Sequence, residues 1–371
     1  YKKKYIMILC ANPKYQFLSK KNKIISELKK TLYSNKYVLG KNVESFEKEF
    51  SKYIGVKFSA GVANGTDAIE IGLKALNIGQ GDEVITVSHT ALATVSAICS
   101  VGALPVLVDI HEYNFLMNEN LIKKKINSRT KAIICVHIYG QTANLEKIKK
   151  ITKENNLHLI EDVSQAHGAL YKNKRAGSYG VISTFSFYPT KNLGAVGDGG
   201  IVCSNNKTII ENIKKIREYG WNQNRISNIK GRNSRLDELQ ASILRVKLKY
   251  LDQDNNKRKL IAKKYLQILN SKKINLPQIK NFNEHVFHLF VIRVKSRSKL
   301  IKFLNKKKIY PGIHYPKPIH LQPAYKKILK KKNYLPITEK VSKEILSLPI
   351  YPELSIKDVI KVSRTINSFF K

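Results

Sequence analysis

The chain has 371 residues, 43% of them hydrophobic and 25% charged, with 67 Lys and Arg against 27 Asp and Glu and a formal net charge of +40. That apolar content excludes a disordered chain, and no apolar run is long enough to span a bilayer. The basic excess is nearly all Lys, spread from Lys2 to Lys371 without an Arg-rich arm or an aromatic platform, so it reads as a solvated surface bias rather than a nucleic-acid footprint.

Four cysteines, Cys10, Cys99, Cys135 and Cys203, form no CxxC pair, which points to reduced core thiols in a cytoplasmic protein without a metal site. Along the chain, IMILCA (6–11) follows a basic start but is broken by Asn12-Pro13 and has no small-residue cleavage pattern; a buried strand is expected, not a signal peptide. Helices are expected over Asn22–Leu32 and Val43–Tyr53, with Gly40 and Asn42 as break and cap between them. From Lys57 to Cys203, β-branched runs alternate with helical stretches, the pattern of an α/β domain with a mostly parallel sheet flanked by helices. The expected strands are Lys57–Val62, Glu83–Val87, Pro105–Asp109, Lys131–Val136, His158–Glu161, Val181–Ser186 and Gly200–Ser204. Thr66–Leu76, Thr90–Val101 and Leu145–Asn155 read as helices between them.

After Arg235 come a long helical stretch, Leu236–Asn270, a strand at Val286–Val294, a helix at Ser298–Lys307, and a proline-rich passage, YPGIHYPKPIHLQPAY (310–325), that predicts an ordered loop. The expected division is therefore residues 1–235, holding the large α/β domain, and residues 236–371, a smaller C-terminal α/β domain.

Three segments carry chemistry. In VANGTDAIEIGLKAL (62–76) a strand ends at Asn64-Gly65-Thr66 and a helix begins at once, which suits a phosphate but also suits a simple helix cap. In HLIEDVSQAHGA (158–169) an apolar strand delivers Glu161 and Asp162 to its carboxyl end, where one acid could hold a protonated heterocyclic nitrogen or merely cap a helix start. In STFSFYPTKNLGAVGDGG (183–200) Lys191 stands among aromatics after Pro189-Thr190. A lysine chosen blindly is a surface residue; partial desolvation here would free its amine for attack on an aldehyde.

Together these segments resemble a pyridoxal phosphate enzyme. The words NGTDA, GDEVITVSHTALAT, PVLVDI, EDVSQAHGA, FSFYPTKNLGAVGDGG and GRNSRLDELQA are similar to those of the DegT/DnrJ type of sugar-nucleotide aminotransferase, a fold-type-I family, from about Ile6 to the C-terminus. The resemblance implies that Lys191 is the Schiff-base residue and proton shuttle, that Asp162 pairs with the pyridinium nitrogen, and that Gln165 lies against the ring hydroxyl. It implies a phosphate site made by Gly65, Thr66 and Ser186 and completed by Asn233 of a neighbouring subunit, hence a homodimer with shared active sites. Where many members stack an aromatic on the ring, this sequence has Ala91; His89 is an alternative source of a ring.

The SHTALAT and HYPKPIHLQPAY segments resemble the branch acting on dTDP-linked 3-keto-6-deoxyhexoses. The implied reaction is ping-pong, with glutamate giving 2-oxoglutarate and pyridoxamine phosphate, and the aminated cofactor then serving a nucleotide-linked keto-sugar. Tyr188, His314, Tyr315 and His320 are the expected sugar-nucleotide contacts, with Arg225 and Arg232 for the pyrophosphate. Open alternatives are amination at C4 of a UDP- or GDP-sugar, an aminocyclitol aminotransferase, a basic regulatory or nucleic-acid-binding relative, and a dehydratase, whose sugar-processing members replace the lysine with histidine. A soluble enzyme with no membrane or nucleic-acid partner, making a deoxyamino sugar for lipopolysaccharide or another surface glycan, is the expectation.

Overall fold

Seven short runs dominated by Val, Ile, Ala and Thr pair into one sheet because their side chains are apolar on both faces and need covering from both sides. The computed structural model describes residues 7–279, 281–329 and 334–371. The strands are β1 (Phe58–Val62), β2 (Glu83–Val87), β3 (Leu104–Val108), β4 (Thr130–Val136), β5 (His158–Asp162), β6 (Ile182–Ser186) and β7 (Gly200–Ser204). Their order across the sheet is β1-β7-β6-β5-β4-β2-β3, with β7 antiparallel to both neighbours and the other pairings parallel.

All seven expected strands are present with ends within one residue, and the expected helices appear too: α4 (Gly65–Ala75), α5 (Leu92–Ser100) and α6 (Leu145–Glu154). Ahead of them lie α1 (Pro13–Leu18), α2 (Lys21–Leu32) and α3 (Lys41–Ile54). One core, built on Ala60, Ile69, Ile71, Ile134 and Ile160, lies under α4, α5 and α7 (Lys207–Ile216). A second, aromatic core joins Phe46 and Phe50 of α3 to Phe185 and Phe187.

Of IMILCA, Ile6 lies outside the described residues, and Ile8–Leu9 forms a two-residue strand pairing in parallel with Ile309–Tyr310. The expected helix over 236–270 is two helices, α8 (Glu238–Leu248) and α9 (Leu251–Ile268); the chain turns at Tyr250, which sends α8 against α2 and α3 while α9 packs on α10 (Ile356–Phe369). The strand expected at 286–294 is only β8 (Phe290–Arg293), paired with β9 (Ile345–Leu348). Val286 and Leu289 instead bond the Gly140 and Tyr139 carbonyls, outside any ladder. The proline-rich passage is an ordered loop that includes a 3-10 turn at Ile319–Leu321 and one helical turn at Pro323–Lys326. Among the described residues no helix is long and apolar enough to cross a membrane.

Candidate active site

The carboxyl ends of β1, β5 and β6 open into a cavity of about 490 Å³, the edge at which open α/β sheets bind ligands. Lys191, Asp162, Gly65, Thr66, Ala91, Gln165, Ser186, Tyr188, His314 and Tyr315 all line it. It is closed by distant stretches, Cys10 and Ala11 on one side and His288, Leu289 and Gly312 on the other.

Strand alternation separates the two adjacent acids of β5. Glu161 is turned away and fully enclosed; backbone amides of Gly177, Tyr179 and Gly180 donate to it at 2.7–2.8 Å, and His137 Nε2 lies 3.1 Å away. Burial pushes its pKa up, but His137 and the amides outweigh that and hold it below the usual carboxylate range. Asp162 faces the cavity. Thr94 Oγ1 donates to its Oδ2 at 2.9 Å and the Ser164 amide to its Oδ1 at 3.1 Å, so the carboxylate is held in one orientation from behind, by a threonine in the first turn of α5, the last residue of the SHTALAT segment, to which the sequence reading assigned no role.

Gln165 is also fixed. Its Oε1 accepts the Tyr139 amide at 2.8 Å, and its Nε2 donates to the Tyr315 hydroxyl at 3.0 Å. The Tyr139 hydroxyl donates to the His314 carbonyl, which ties the proline-rich loop to the sheet edge. Burial lowers His314 to about 4 and raises Tyr315 to about 12.

At the helix end, Asn64 caps α4 by accepting the Asp67 amide at 2.8 Å, leaving the Gly65 and Thr66 amides for an outside acceptor. A Cβ on Gly65 would stand 2.5 Å from Ser186 Cβ. Only glycine lets the helix start and the end of β6 come together as one cradle. Among the described residues Lys191 has no salt bridge, and burial lowers it to about 8 against an opposing pull from Asp162.

Several expected contacts lie elsewhere. His320 does not line the cavity: its Nδ1 is 2.7 Å from Ser88 Oγ and its Nε2 3.2 Å from Glu339, so both ring nitrogens are engaged in holding the loop. His89 is buried against Tyr139 and Phe115, its Nε2 2.7 Å from the Tyr139 hydroxyl, and does not line the cavity. Arg232 pairs with Glu70 at 2.9 Å and Asp67 at 3.5 Å, while Arg225 lies over Trp221 at a second cavity. Asn233 is exposed and outside this cavity, although the neighbouring Ser234 is buried and donates to Asp67 at 2.6 Å beneath α4.

The DegT/DnrJ/EryC1/StrS aminotransferase family model matches residues 19–367. The chain belongs to that family. The family depends on pyridoxal phosphate, and the residues present fit that cofactor: an amine of lowered pKa, a carboxylate fixed from behind and a helix-end cradle for a phosphate face one cavity. The chain is 45% identical over 360 residues, 96% of its length and 97% of the relative's, to the dTDP-3-amino-3,6-dideoxy-alpha-D-galactopyranose transaminase of Aneurinibacillus thermoaerophilus. It is 39% identical over 334 residues, 90% of this chain and 88% of the other, to the dTDP-3-amino-3,4,6-trideoxy-alpha-D-glucose transaminase of Streptomyces venezuelae. The crystal structure of S. venezuelae DesV in complex with a ketimine intermediate superposes with a TM-score of 0.95 at 36% identity, covering 98% of this chain and 99% of that one.

Proposed function

We propose that this aminotransferase moves an amino group from glutamate to a nucleotide-linked keto-deoxysugar, converting dTDP-3-keto-6-deoxyhexose to dTDP-3-amino-3,6-dideoxyhexose for a surface glycan, in the cytoplasm. The observation that carries the reading is the meeting of Lys191, Asp162 and the α4 start on one cavity. The activities of the Aneurinibacillus and Streptomyces relatives support the sugar class.

In this reading Asp162 holds the proton of the ring nitrogen, and the Gly65 and Thr66 amides with Thr66 and Ser186 hydroxyls hold the phosphate at the positive end of α4. Gln165, braced by Tyr315, would lie against the ring hydroxyl, and Ala91 would offer the ring only a methyl. The bound cofactor supplies an aldehyde for amine exchange and a protonated ring that draws electrons from the carbon losing its proton. Lys191 takes that proton and returns it. With a pKa near 8, about a tenth of its amine is neutral at pH 7, so one group serves as base and acid. Tyr188, His314 and Tyr315 meet the sugar nucleotide.

A homodimer belongs to the same reading. Asn233 is exposed on a segment that also carries the exposed Ile226 and Ile229, and it completes the phosphate site of a partner subunit. So does the division at Arg235 into a large and a smaller domain, supported by a separate apolar core that joins α9, β8, β9 and α10.

The test is a glutamate-dependent amination screen against dTDP-, UDP- and GDP-linked 3- and 4-keto sugars, with the amine position read by NMR. Amination at C3 of the dTDP sugar is expected. Turnover of non-nucleotide cyclitols alone would overturn the substrate class, and full transfer by Lys191→Ala would overturn the site.

A further inference from the structure

The residue after Lys191 is buried and bonded at both ends of its side chain. Asn192 Nδ2 donates to the Val286 carbonyl at 3.0 Å and to Asn255 Oδ1 at 2.8 Å. A backbone carbonyl can only accept, so the amide nitrogen must lie on that side and the amide oxygen on the other. That oxygen is 3.2 Å from His288 Nδ1. Two acceptors do not bond, so Nδ1 carries hydrogen. Asn255 obeys the same logic one step back, its Nδ2 donating to the His167 carbonyl at 2.9 Å. Two backbone carbonyls therefore set the direction of the whole chain of bonds, from His288 through Asn192 and Asn255 to His167.

His288 is 7% exposed, and it lines the cavity that holds Lys191. Burial holds it neutral, well below the usual histidine range, with Lys191, Arg258, His314 and His167 adding to the effect. A neutral imidazole with hydrogen on Nδ1 presents a bare lone pair at Nε2. Among the described residues Nε2 makes no hydrogen bond, yet it is not sealed, unlike both ring nitrogens of His167. The charged and titratable groups that share the cavity with Lys191 are Asp162, whose charge favours the ammonium, Asp198, Tyr188, Tyr315, Cys10, and His288 and His314, which burial holds neutral; His167, also neutral, is sealed outside the lining.

We propose that His288 is a positioning residue for Lys191: Asn192 fixes its tautomer, and its bare Nε2, which bonds nothing in the structure, becomes the acceptor for an N–H when the Lys191 amine turns toward it within the cavity. The contact aims the remaining hydrogens and lone pair of the amine into the cavity, where the proton is exchanged. It also favours the ammonium, since a hydrogen bond to a charged donor is among the stronger kinds. The proposal rests on Lys191 working as the amine of the reaction.

Asparagine and glutamine separate the two ends of the imidazole, because an Asn amide reaches the place of Nδ1 and a Gln amide that of Nε2. The measurement is the pH dependence of acetylation at Lys191 by acetic anhydride in protein freed of cofactor, with the site read by mass spectrometry, beside single-turnover rates of the loaded enzyme. His288→Asn keeps the bond to Asn192 and loses the acceptor. Its Lys191 midpoint is expected to fall by about one unit and its proton transfer to slow about tenfold; His288→Gln recovers most of both. Wild-type values in His288→Asn, or a Gln variant worse than the Asn variant, would reduce the histidine to a packing link and overturn the proposal. Should His288→Asn fail to fold, the Gln variant is compared with His288→Phe, and equal Lys191 midpoints in those two overturn it. Amino transfer by Lys191→Ala would sink the functional reading instead, while the acetylation midpoint still decides the role of His288.

Discussion

Lys191→Met in cofactor-free protein tests the electrostatics of the site without any catalysis. Burial lowers Lys191 from an ordinary 10.5 to about 8, so keeping it charged inside the fold costs roughly 3 kcal/mol, at about 1.36 kcal/mol per unit. Linkage sets the sign. Between pH 8 and 10.5 the unfolded chain holds a proton at this lysine that the folded chain has given up, so stability rises with pH across that window and the cost is borne in full below it. Methionine of similar length has no charge to bury, and its gain over wild type should be about 3 kcal/mol at about pH 7 and mostly gone by about pH 10. Denaturant unfolding of both proteins at about pH 7, 8.5 and 10, at one protein concentration, reads the difference directly. A Met variant no more stable than wild type at neutral pH, or a gap that stays level into the alkaline range, would refute the picture of a desolvated lysine.

Four other outcomes are expected. Asp162→Asn should fold normally, as its amide oxygen can accept the Ser164 amide while its NH2 donates to Thr94 Oγ1, whose own hydrogen turns to Thr90, and lose at least about a hundredfold in single-turnover amino transfer, of the order carried by a group that tunes the cofactor electronically. Thr94→Val keeps the shape but leaves Asp162 Oδ2 without its donor, a loss of about 1–3 kcal/mol to be read as a weaker cofactor dissociation constant. Gly65→Ala forces a methyl against Ser186 and should weaken cofactor binding about tenfold or more, with circular dichroism unchanged. His320→Ala should leave KM within about twofold and lower stability by about 1–2 kcal/mol, since it removes bonds to Ser88 and Glu339; a large rise in KM would return His320 to the substrate.

The sheet was legible because parallel strands covered on both faces read as unbroken apolar runs, and turn residues bound those runs, as Gly81-Asp82 does immediately ahead of β2. Asp162 and Gly65 were legible for a related reason: each stands at or just past the end of such a run, and a strand end fixes position; Lys191, in the loop after β6, was marked by its aromatic neighbours and Pro189-Thr190. The second half was harder. Leu236–Asn270 has one helical periodicity, and the break at Tyr250 is set by what each half packs against, which no local pattern encodes. The polar pairs were harder still. Nothing in HLQ says that His320 will meet Ser88, far away in sequence, and nothing in TVS says that Thr94 will reach Asp162. His288, inside the apolar HVFHLF, reads as a core histidine until Asn192 is seen to orient it.

The cavity draws its walls from Cys10 and Ala11 at one extreme and from Gly312, His314 and Tyr315 at the other, and the two extremes are stitched by the pairing of Ile8–Leu9 with Ile309–Tyr310. A chain emerging from the ribosome therefore possesses the lysine, the acid and the anion cradle long before it possesses a closed chamber. Contacts of such sequence separation form late because the loop between them must be closed first. Capture of a small aldehyde in a walled chamber is thus postponed until synthesis has passed Tyr315, which makes cofactor retention a marker of completed folding rather than of an intact lysine.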